Sequence, residues 1–360
     1  MRKIVYISSN LKSKGTGGGV VSCANLNILM SIYGDCNVKS YDISKSEKKN
    51  GLINKLDYLI NYLLGYSAGL TPHKVRDIMR DDFFIKSDVI YLDGSLFGNF
   101  VDNIKKKYPQ KKIIVFFHNI ETDFIKSVIS DKAFIYKLVY LVAKNNEKKS
   151  AILADYIITL THNDSSRLSC LFSRRADFIW GVSLPSRNCN IKNNSNDILF
   201  VGSDFPPNIE ALNFLTKDVM PFIKNRKLII IGKGLDKYKS KYDNHNVETL
   251  GFVENIDNYY CKSNIVLSPI FSGAGMKVKI AEALSYGKIV MGTSFSFVGY
   301  NLQDNSDFLI EANTAKEYIE LLKNSFDSSS INSKKYFDDN LSIQAANKKL
   351  YQFLDLNGLL

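Results

Sequence analysis

The chain has 360 residues, of which 45% are hydrophobic and 23% are charged. This composition is that of a packed globular protein and excludes a disordered or fibrous chain, and the length is enough for two domains. The net charge is +11 at pH 7, and the excess of Lys and Arg lies in residues 1–180. This basic half fits either a solvated face or a surface that docks on anionic lipid, and no recognition motif favours nucleic acid.

The cysteines are odd in number and form no C-x-x-C pair: Cys23, Cys36, Cys170, Cys189 and Cys261. This pattern predicts neither a disulfide framework nor a zinc site and favours a reducing compartment. The N-terminal apolar stretch is too short for a signal peptide, and no apolar run approaches the ~18 residues of a membrane span. We therefore expect a cytoplasmic protein, at most peripheral at the inner face of the cell membrane.

Strand and helix patterns alternate along the first half of the chain. A short apolar strand is followed by the glycine-rich turn 15–19 and by a helical pattern over 20–32. Further apolar runs predict strands at 89–92, 113–117 and 156–160. Near-continuous apolar strands separated by helices are typical of a parallel sheet that is covered on both faces.

The pattern restarts after a polar, Asn-rich stretch at 185–196, which is typical of a linker. Strands are predicted at 197–202, 228–232, 264–268 and 288–292, with helices at 208–224 and 341–354. We predict two Rossmann-like α/β domains, 1–185 and 197–340, and a C-terminal segment 341–360 whose helix packs back on the first domain. Two such parallel sheets facing each other would leave an interdomain cleft at the loops that follow the strands, where ligands of these folds bind.

The most informative stretch is residues 268–284, SPIFSGAGMKVKIAEAL, which predicts a strand, a glycine-rich loop and the start of a helix. The glycines allow a ligand to approach the backbone, and the amides at the helix N-terminus favour an anion such as a diphosphate. Lys279 adds a positive charge, and Glu282 lies three residues later on nearly the same face, suited to two vicinal hydroxyls. The alternative is an exposed helix with an ordinary Lys–Glu pair.

The longer stretch SPIFSGAGMKVKIAEALSYGKIVMGT resembles the donor-binding signature of retaining GT-B glycosyltransferases, especially glycosyltransferase family 4. The resemblance implies that Glu282 binds ribose hydroxyls and that Lys279, a catalytic residue in this reading, contacts the diphosphate together with loop amides. The remaining donor-binding positions in this region are Gly273, Ala274, Gly275, Met276 and Thr293. Many family members carry a second glutamate where this chain has Ala274, which leaves sugar recognition open.

Other segments extend the resemblance over about residues 1–325. The segment LFVGSDFPPNIEALNFL resembles the first strand and helix of the donor domain, LIIIGKG the second strand and its loop, and LGFVENIDNYYCKSNIVLSP the base-binding loop. The donor-binding positions that follow from these matches and from the N-terminal glycine-rich loop are Gly18, Gly19, Gly202, Gly232, Lys233, Phe252 and Val253. Lys233 could equally be an exposed turn residue.

The segment FFHNIETDF resembles a histidine-containing loop near the transferred sugar. His118 is thus a catalytic candidate, as a sugar contact or proton relay, with a structural histidine as the alternative. Asp93 also ends a predicted strand, and we expect it to be a turn residue. The apolar stripe at 52–64 fits a core helix or a contact with membrane or a lipid-linked acceptor.

The resemblance implies a hexosyltransferase-type enzyme that moves a sugar from a nucleotide-sugar, UDP being favoured over GDP, to a glycan or lipid-linked acceptor with retention of configuration. Cell-surface polysaccharide or capsule biosynthesis is the expected setting, with no metal and no cofactor. An alternative is a non-catalytic GT-B partner subunit that stabilises another glycosyltransferase. A GT-B nucleotide-sugar epimerase ranks lower, and the N-terminal glycines lack the spacing of a dinucleotide-binding dehydrogenase.

Overall fold

The computed structural model describes residues 2–13, 15–44, 60–67, 69–128, 134–189, 195–324 and 330–360. The chain forms two compact units, Met1–Gly181 with Ala346–Leu360 and Val182–Ala345. The predicted apolar stripe at 52–64 lies mostly outside the described residues, as does the middle of the predicted linker.

The first unit alternates strands and helices in this order: β1 Ile4–Ser8, α1 Gly17–Tyr33, β2 Val38–Asp42, α2 Pro72–Arg80, α3 Asp82–Lys86, β3 Val89–Asp93, α4 Gly98–Lys107, β4 Lys112–Phe117, α5 Glu121–Val128, α6 Phe134–Leu153, β5 Tyr156–Thr159, α7 His162–Phe172 and β6 Phe178–Ile179. The strands form one parallel sheet in the order β2-β1-β3-β4-β5-β6.

The second unit repeats this architecture: β7 Ile198–Val201, α8 Pro206–Phe214, β8 Leu228–Ile231, α9 Lys239–Tyr242, β9 Val247–Gly251, α10 Asp257–Lys262, β10 Ile265–Ser268, α11 Val278–Ser285, β11 Ile289–Gly292, β12 Leu309–Glu311, α12 Ala315–Leu322 and α13 Ile331–Asn340. The last helix, α14 Ile343–Leu356, follows and belongs to the first unit from Ala346 onward. The sheet of the second unit is parallel, in the order β12-β11-β10-β7-β8-β9. The prediction of two Rossmann-like α/β domains is confirmed.

The central strands are buried on both faces, which is why they appear in the sequence as apolar runs. In the first unit, one face of the sheet contributes Val5, Ile7, Ile90, Leu92 and Val115 to the main hydrophobic core. The other face carries aromatic rings, among them Tyr6 stacked on Tyr91 at 5.2 Å and Tyr91 on Phe116 at 6.4 Å. The ring of Phe116 also contacts His118, with ring centroids 4.9 Å apart.

The last helix, α14, starts in the second unit and continues into the first. Within the first unit, Phe353 of this helix stacks on Phe178 with ring centroids 4.8 Å apart. The phenol of Tyr33 donates a hydrogen bond of 2.9 Å to the carbonyl oxygen of Leu359. The C-terminal residues therefore complete the first unit.

A disulfide joins Cys189 to Cys261, 72 residues apart in sequence, with their Cα atoms 5.3 Å apart. The prediction of no disulfide is therefore wrong, and the cysteine pattern no longer argues for a reducing compartment. The backbone before Cys189 is held in place, since the Arg187 amide donates to the Ser285 carbonyl at 3.3 Å. This course brings Cys189 to α10, a proximity that sequence spacing does not reveal.

Candidate functional site

The strand order of the second unit reverses between β7 and β10, which are neighbours in the sheet. In open α/β sheets, ligands bind beyond the carboxyl ends of the strands at such a reversal. The loops that follow these two strands are residues 202–205 and 269–277. They carry five of the residues that the sequence singled out, namely Gly202, Gly273, Ala274, Gly275 and Met276.

The loop after β10 is open to solvent at its tip. Ser272, Gly273 and Ala274 are exposed, and Gly273 and Gly275 have φ angles of 113° and 65°. Such positive angles favour glycine, because a Cβ would crowd the backbone. Met276 is buried, and its sulfur accepts a hydrogen bond from the Val182 amide at 3.5 Å. Met276 thus anchors the loop, while 272–275 remains accessible to a ligand.

The loop leads into α11, which begins at Val278. The first amides of a helix have no intrahelical acceptor, so those of Val278 and Lys279 can bind an anion, assisted by the helix dipole. The phenol of Tyr300 stabilises this turn by accepting from the Ala281 amide at 3.1 Å and donating to the Lys277 carbonyl at 2.7 Å. The N-terminal turn of this helix is therefore held in place by a residue of the same unit.

The ammonium group of Lys279 spans the strand-order reversal. Its Nζ donates to Oδ1 of Asn208 on α8 at 2.7 Å and lies 4.6 Å from the ring centroid of Phe200 on β7. Burial, together with the charge of Lys277, lowers the pKa of Lys279 to about 7, although Glu282 opposes this shift. A bound diphosphate would favour the charged form.

Glu282 lies one turn further along α11 and is partly buried. Its Oε2 accepts a hydrogen bond of 2.8 Å from the phenol of Tyr260. Burial raises the pKa of Glu282, and the Tyr260 hydrogen bond, Arg187 and Lys279 oppose that increase. Asn208 and Tyr260 were not predicted from the sequence, although both hold predicted site residues.

Gly202 and Gly232 end neighbouring strands where the backbone is tightly packed. A Cβ at Gly232 would lie 1.4 Å from the carbonyl oxygen of Gly202, and one at Gly202 would lie 2.8 Å from Cγ of Asn208. Backbone packing therefore requires glycine at position 232 whatever ligand is bound, whereas a Cβ at Gly202 would displace the Asn208 side chain. Lys233 is exposed, and its carbonyl accepts from the Asp204 amide at 3.0 Å.

The other predicted donor-binding residues of this unit differ in exposure. Phe252 is 71% exposed and Val253 is partly buried in the loop after β9. Thr293 is only 2% exposed, and its hydroxyl donates to the Ile270 carbonyl. The Thr293 hydroxyl thus stabilises the loop after β10 through this hydrogen bond.

In the first unit, a polar cluster lies where the strand order reverses between β1 and β3. Asp93 is fully buried at the end of β3 and accepts hydrogen bonds from the Ser8 hydroxyl at 2.7 Å, from the Ser22 hydroxyl, and from His118 Nε2 at 3.0 Å. The expected turn role of Asp93 does not describe this arrangement. Ser8, Asp93 and His118 end or follow three neighbouring parallel strands, a signal that could have grouped them in advance.

His118 and Asp93 each stabilise the charged form of the other. Burial alone would raise the pKa of Asp93, but His118 and the two serines hold it below its usual range. Burial would likewise lower the pKa of His118, whereas Asp93 and Glu121 raise it above its usual value. The pair therefore favours an imidazolium beside a carboxylate, able to donate hydrogen bonds and release a proton.

Two neighbouring carboxylates, Glu121 and Glu147, lie near His118. Glu147 is fully buried on α6 and accepts from the amides of Glu121 and Thr122 at 2.8 and 2.9 Å, which caps the start of α5. Burial and the charge of Glu147 raise the pKa of Glu121 to about 7, although His118 opposes this shift.

The N-terminal glycines begin a helix instead of forming only a turn. Helix α1 starts at Gly17, and the Thr16 hydroxyl accepts from the Gly19 amide at 3.2 Å. A Cβ at Gly19 would lie 2.0 Å from the Ser13 carbonyl oxygen, whereas one at Gly18 would have no contact closer than 3.7 Å. Gly19 therefore permits a close backbone approach, while Gly18 lies at the open start of the helix.

Across the parts of the chain that the structure describes, no group of three or more His, Cys, Asp and Glu side chains could hold a metal ion. Within the same residues, no helix has the length and apolar character needed to span a bilayer.

Comparison with known proteins bears directly on the second unit. Residues 195–327 match the family model of the glycosyl transferases group 1. A curated relative, described as an uncharacterized 44.6 kDa protein in the cps region of Klebsiella pneumoniae, is 26% identical over 244 residues. That match covers 58% of this chain and 58% of the relative, so it spans little more than half of either protein.

Two solved structures share the architecture of nearly the whole chain. HepE from Anabaena in complex with UDP-glucose has a TM-score of 0.68 and 13% identity, covering 99% of this chain and 100% of that one. The lipopolysaccharide outer core galactosyltransferase WaaB has a TM-score of 0.64 and 11% identity, with coverage of 99% and 100%. The predicted GT-B fold is confirmed, and the family match supports a glycosyltransferase.

Proposed function

We propose that this chain is a retaining, family 4-like hexosyltransferase that takes a sugar from a UDP-sugar and adds it to a glycan or lipid-linked acceptor of a cell-surface polysaccharide. The observation that carries this proposal is the glycine loop 273–275, exposed at Gly273 and Ala274, which leads into the N-terminus of α11 with Lys279 in its first turn and Glu282 in its second. These groups suit the two parts of a nucleoside diphosphate, since cationic and amide donors fit the diphosphate and a carboxylate fits the ribose hydroxyls.

In the proposed reaction, the bond between the anomeric carbon and the diphosphate oxygen breaks, and its electron pair leaves with the diphosphate. The acceptor hydroxyl oxygen forms the new bond on the same face of the sugar, and its proton passes to the departing diphosphate. Negative charge increases on the diphosphate as the bond lengthens. The amides of Val278 and Lys279 and the Lys279 ammonium would stabilise that charge.

Sugar recognition is assigned to groups other than a glutamate at position 274, where this chain has alanine. In the second unit, the amides after Gly273 are the candidates. In the first unit, the His118 imidazolium, held by Asp93, is assigned the role of a hydroxyl contact or proton relay. Two similarities support the choice of donor and setting: HepE was solved with UDP-glucose, and the Klebsiella relative is described as lying in a cps region.

The donor assignment is tested by thermal unfolding with UDP-glucose, UDP-galactose, UDP-N-acetylglucosamine and GDP-mannose. A ligand at one hundred times its dissociation constant should stabilise the native protein by about 2.7 kcal/mol. Glu282→Ala should lose most of this stabilisation. Glu320→Ala, at a 63% exposed side chain on α12, is the matched control and should retain it.

Transfer itself is followed by UDP release in the presence of candidate acceptors, and by the NMR coupling constant at the anomeric centre of the product. Failure of every nucleotide-sugar to stabilise the protein would refute the donor assignment. An inverted product would refute retention. Donor binding without transfer to any acceptor would favour the non-catalytic partner subunit.

A further inference from the structure

Two stacked tyrosines lie behind Glu282. Tyr260 on α10 and Tyr286, just after α11, have ring centroids 4.5 Å apart and an interplanar angle of 11°. Both are buried, and Tyr260 is fully inaccessible to solvent. The stack therefore fixes the Tyr260 ring in one orientation.

The two phenols have different partners. Tyr260 donates to Oε2 of Glu282 at 2.8 Å, whereas the Tyr286 phenol donates to Oδ1 of Asp257. Burial and the nearby Glu282 charge raise the pKa of Tyr260 well above its usual value, so this phenol keeps its proton. No second hydrogen-bond donor to the Glu282 carboxylate is found among the described residues, and its Oε1 is left for another partner.

Helix α10, which carries Tyr260, is itself fixed within the unit. The disulfide to Cys189 holds Cys261, the residue next to Tyr260. The ammonium of Lys288 donates to the Cys261 carbonyl at 3.1 Å. Tyr260, whose phenol donates to Glu282, therefore lies on a helix that is held in place at the neighbouring Cys261.

We propose that Tyr260 is a positioning residue that holds the Glu282 carboxylate in the rotamer that binds the ribose hydroxyls. The inference rests on the proposed donor function and deepens it. A carboxylate with one oxygen held by the phenol presents the other to the nucleoside. Fixing the rotamer before binding reduces the conformational entropy lost when the ligand arrives.

The contact also acts on the charge of Glu282. The Tyr260 hydrogen bond opposes the increase in the pKa of Glu282 that burial causes. Its loss should raise that pKa further, so that the carboxylate becomes protonated at a higher pH. The titratable and charged groups that interact with Glu282 are Tyr260, Arg187, Asp257, Lys279 and Tyr286, and Tyr260→Phe alters only the first of them.

The test compares Tyr260→Phe with Tyr286→Phe, which removes the same atom from the neighbouring ring but leaves the Glu282 hydrogen bond intact. Dissociation constants are measured by calorimetry for UDP and for 2′,3′-dideoxy-UDP between pH 5 and 8.5. The ratio of the two constants isolates the ribose hydroxyls, because both ligands carry the same diphosphate. Tyr260→Phe should weaken UDP binding about five- to tenfold with little change for the dideoxy nucleotide.

As the pH is lowered, the preference for UDP over the dideoxy nucleotide, measured by the ratio of the two dissociation constants, should be lost. In Tyr260→Phe this loss should occur at a higher pH than in the wild type or in Tyr286→Phe. In the Glu282→Gln background, Tyr260→Phe should have no further effect on the ratio. An unchanged ratio and pH profile in Tyr260→Phe would overturn the positioning role. So would an equal effect of Tyr286→Phe, which would indicate general loosening of the stack.

If Tyr260→Phe does not fold, the same two dissociation constants are measured for Glu282→Gln, in which Tyr260 is intact. Retention of ribose discrimination in that variant would overturn the inference. A wild-type protein that binds UDP but shows no ribose discrimination would remove the Glu282–ribose assignment and this inference together. A wild-type protein that binds neither nucleotide would instead refute the proposed donor function itself, so the two failures are distinguishable.

Discussion

The affinity for a nucleotide-sugar should fall as the pH rises above 7, and Lys279 is the reason. Burial lowers the pKa of this lysine to about 7 in the ligand-free protein. Only the ammonium form attracts a diphosphate, and a bound diphosphate in turn favours that form. Binding should therefore take up a proton, and the charged fraction of the free protein limits affinity on the alkaline side.

The magnitude follows from the pKa. With a free-protein pKa of about 7, the charged fraction falls from about one half at pH 7 to about one eleventh at pH 8, a fivefold loss of affinity or about 1 kcal/mol. A UDP-sugar is the suitable ligand, because its diphosphate is esterified at both ends and does not titrate in this range. Proton uptake of about 0.5 at pH 7 is measured by calorimetry in buffers of different ionisation enthalpy.

Lys279→Arg provides the matched variant, since a guanidinium remains charged throughout. Its affinity should be independent of pH between 7 and 8.5, and its binding should take up no proton. A wild-type affinity that is flat over the same range, or an equally steep fall in Lys279→Arg, would refute the assignment of the diphosphate to this ammonium group.

Three further predictions concern stability and the first unit. Asp93→Asn should lower the pKa of His118, because the carboxylate that stabilises the imidazolium is removed, and NMR titration measures this change. The same variant loses a buried charge partner, so its free energy of unfolding in urea should be lower by about 3 kcal/mol. Gly232→Ala should destabilise the protein by about 3 kcal/mol, because its Cβ would lie 1.4 Å from a backbone oxygen, and thermal unfolding measures this loss. Cys189→Ser should cost the oxidised protein about 4 kcal/mol by opening a 72-residue loop, and a non-reducing digest of the wild type should contain the linked peptides.

Each of these has its own control. Gly15→Ala adds a Cβ with nothing within 4 Å and should leave the melting temperature unchanged. An Asp93→Asn protein whose His118 titrates as in the wild type would contradict the pairing. Equal melting temperatures of Gly232→Ala and wild type would contradict the tight approach of the two strand-end loops. Reduction of the wild type should reproduce the effect of Cys189→Ser, and a digest without linked peptides would contradict the disulfide.

The strands in the middle of each sheet were predictable because burial on both faces makes them apolar throughout. The outermost strands were not: β2 at Val38–Asp42 is mostly partly buried, and three of its five residues are polar. Helix α1 was predicted to begin at Val20, but Thr16 caps it and it starts at Gly17. Glycines in the sequence indicate a turn, and only the capping contact shows that the helix includes them.

The candidate site divides in the same way. Lys279 and Glu282 stand close together in sequence beside the glycines that mark the loop, so a local pattern identified them. Their partners were missed: Asn208 is 71 residues from Lys279, and Tyr260 is 22 residues from Glu282. Asp93, 25 residues from His118, was read as a turn because its own neighbours are those of a strand end.

By itself, the sequence determined the order of strands and helices, the two parallel sheets, and a glycine loop that opens a helix carrying a lysine and a glutamate. These features depend on hydrophobic periodicity and on residues a few positions apart, both of which are legible along the chain. The tertiary structure alone decided which groups meet across the strand-order reversals: the ammonium with Asn208, the carboxylate with Tyr260, the imidazolium with Asp93, and Cys189 with Cys261. Such meetings depend on how distant segments pack, and packing sets the burial and the neighbouring charges from which each pKa follows.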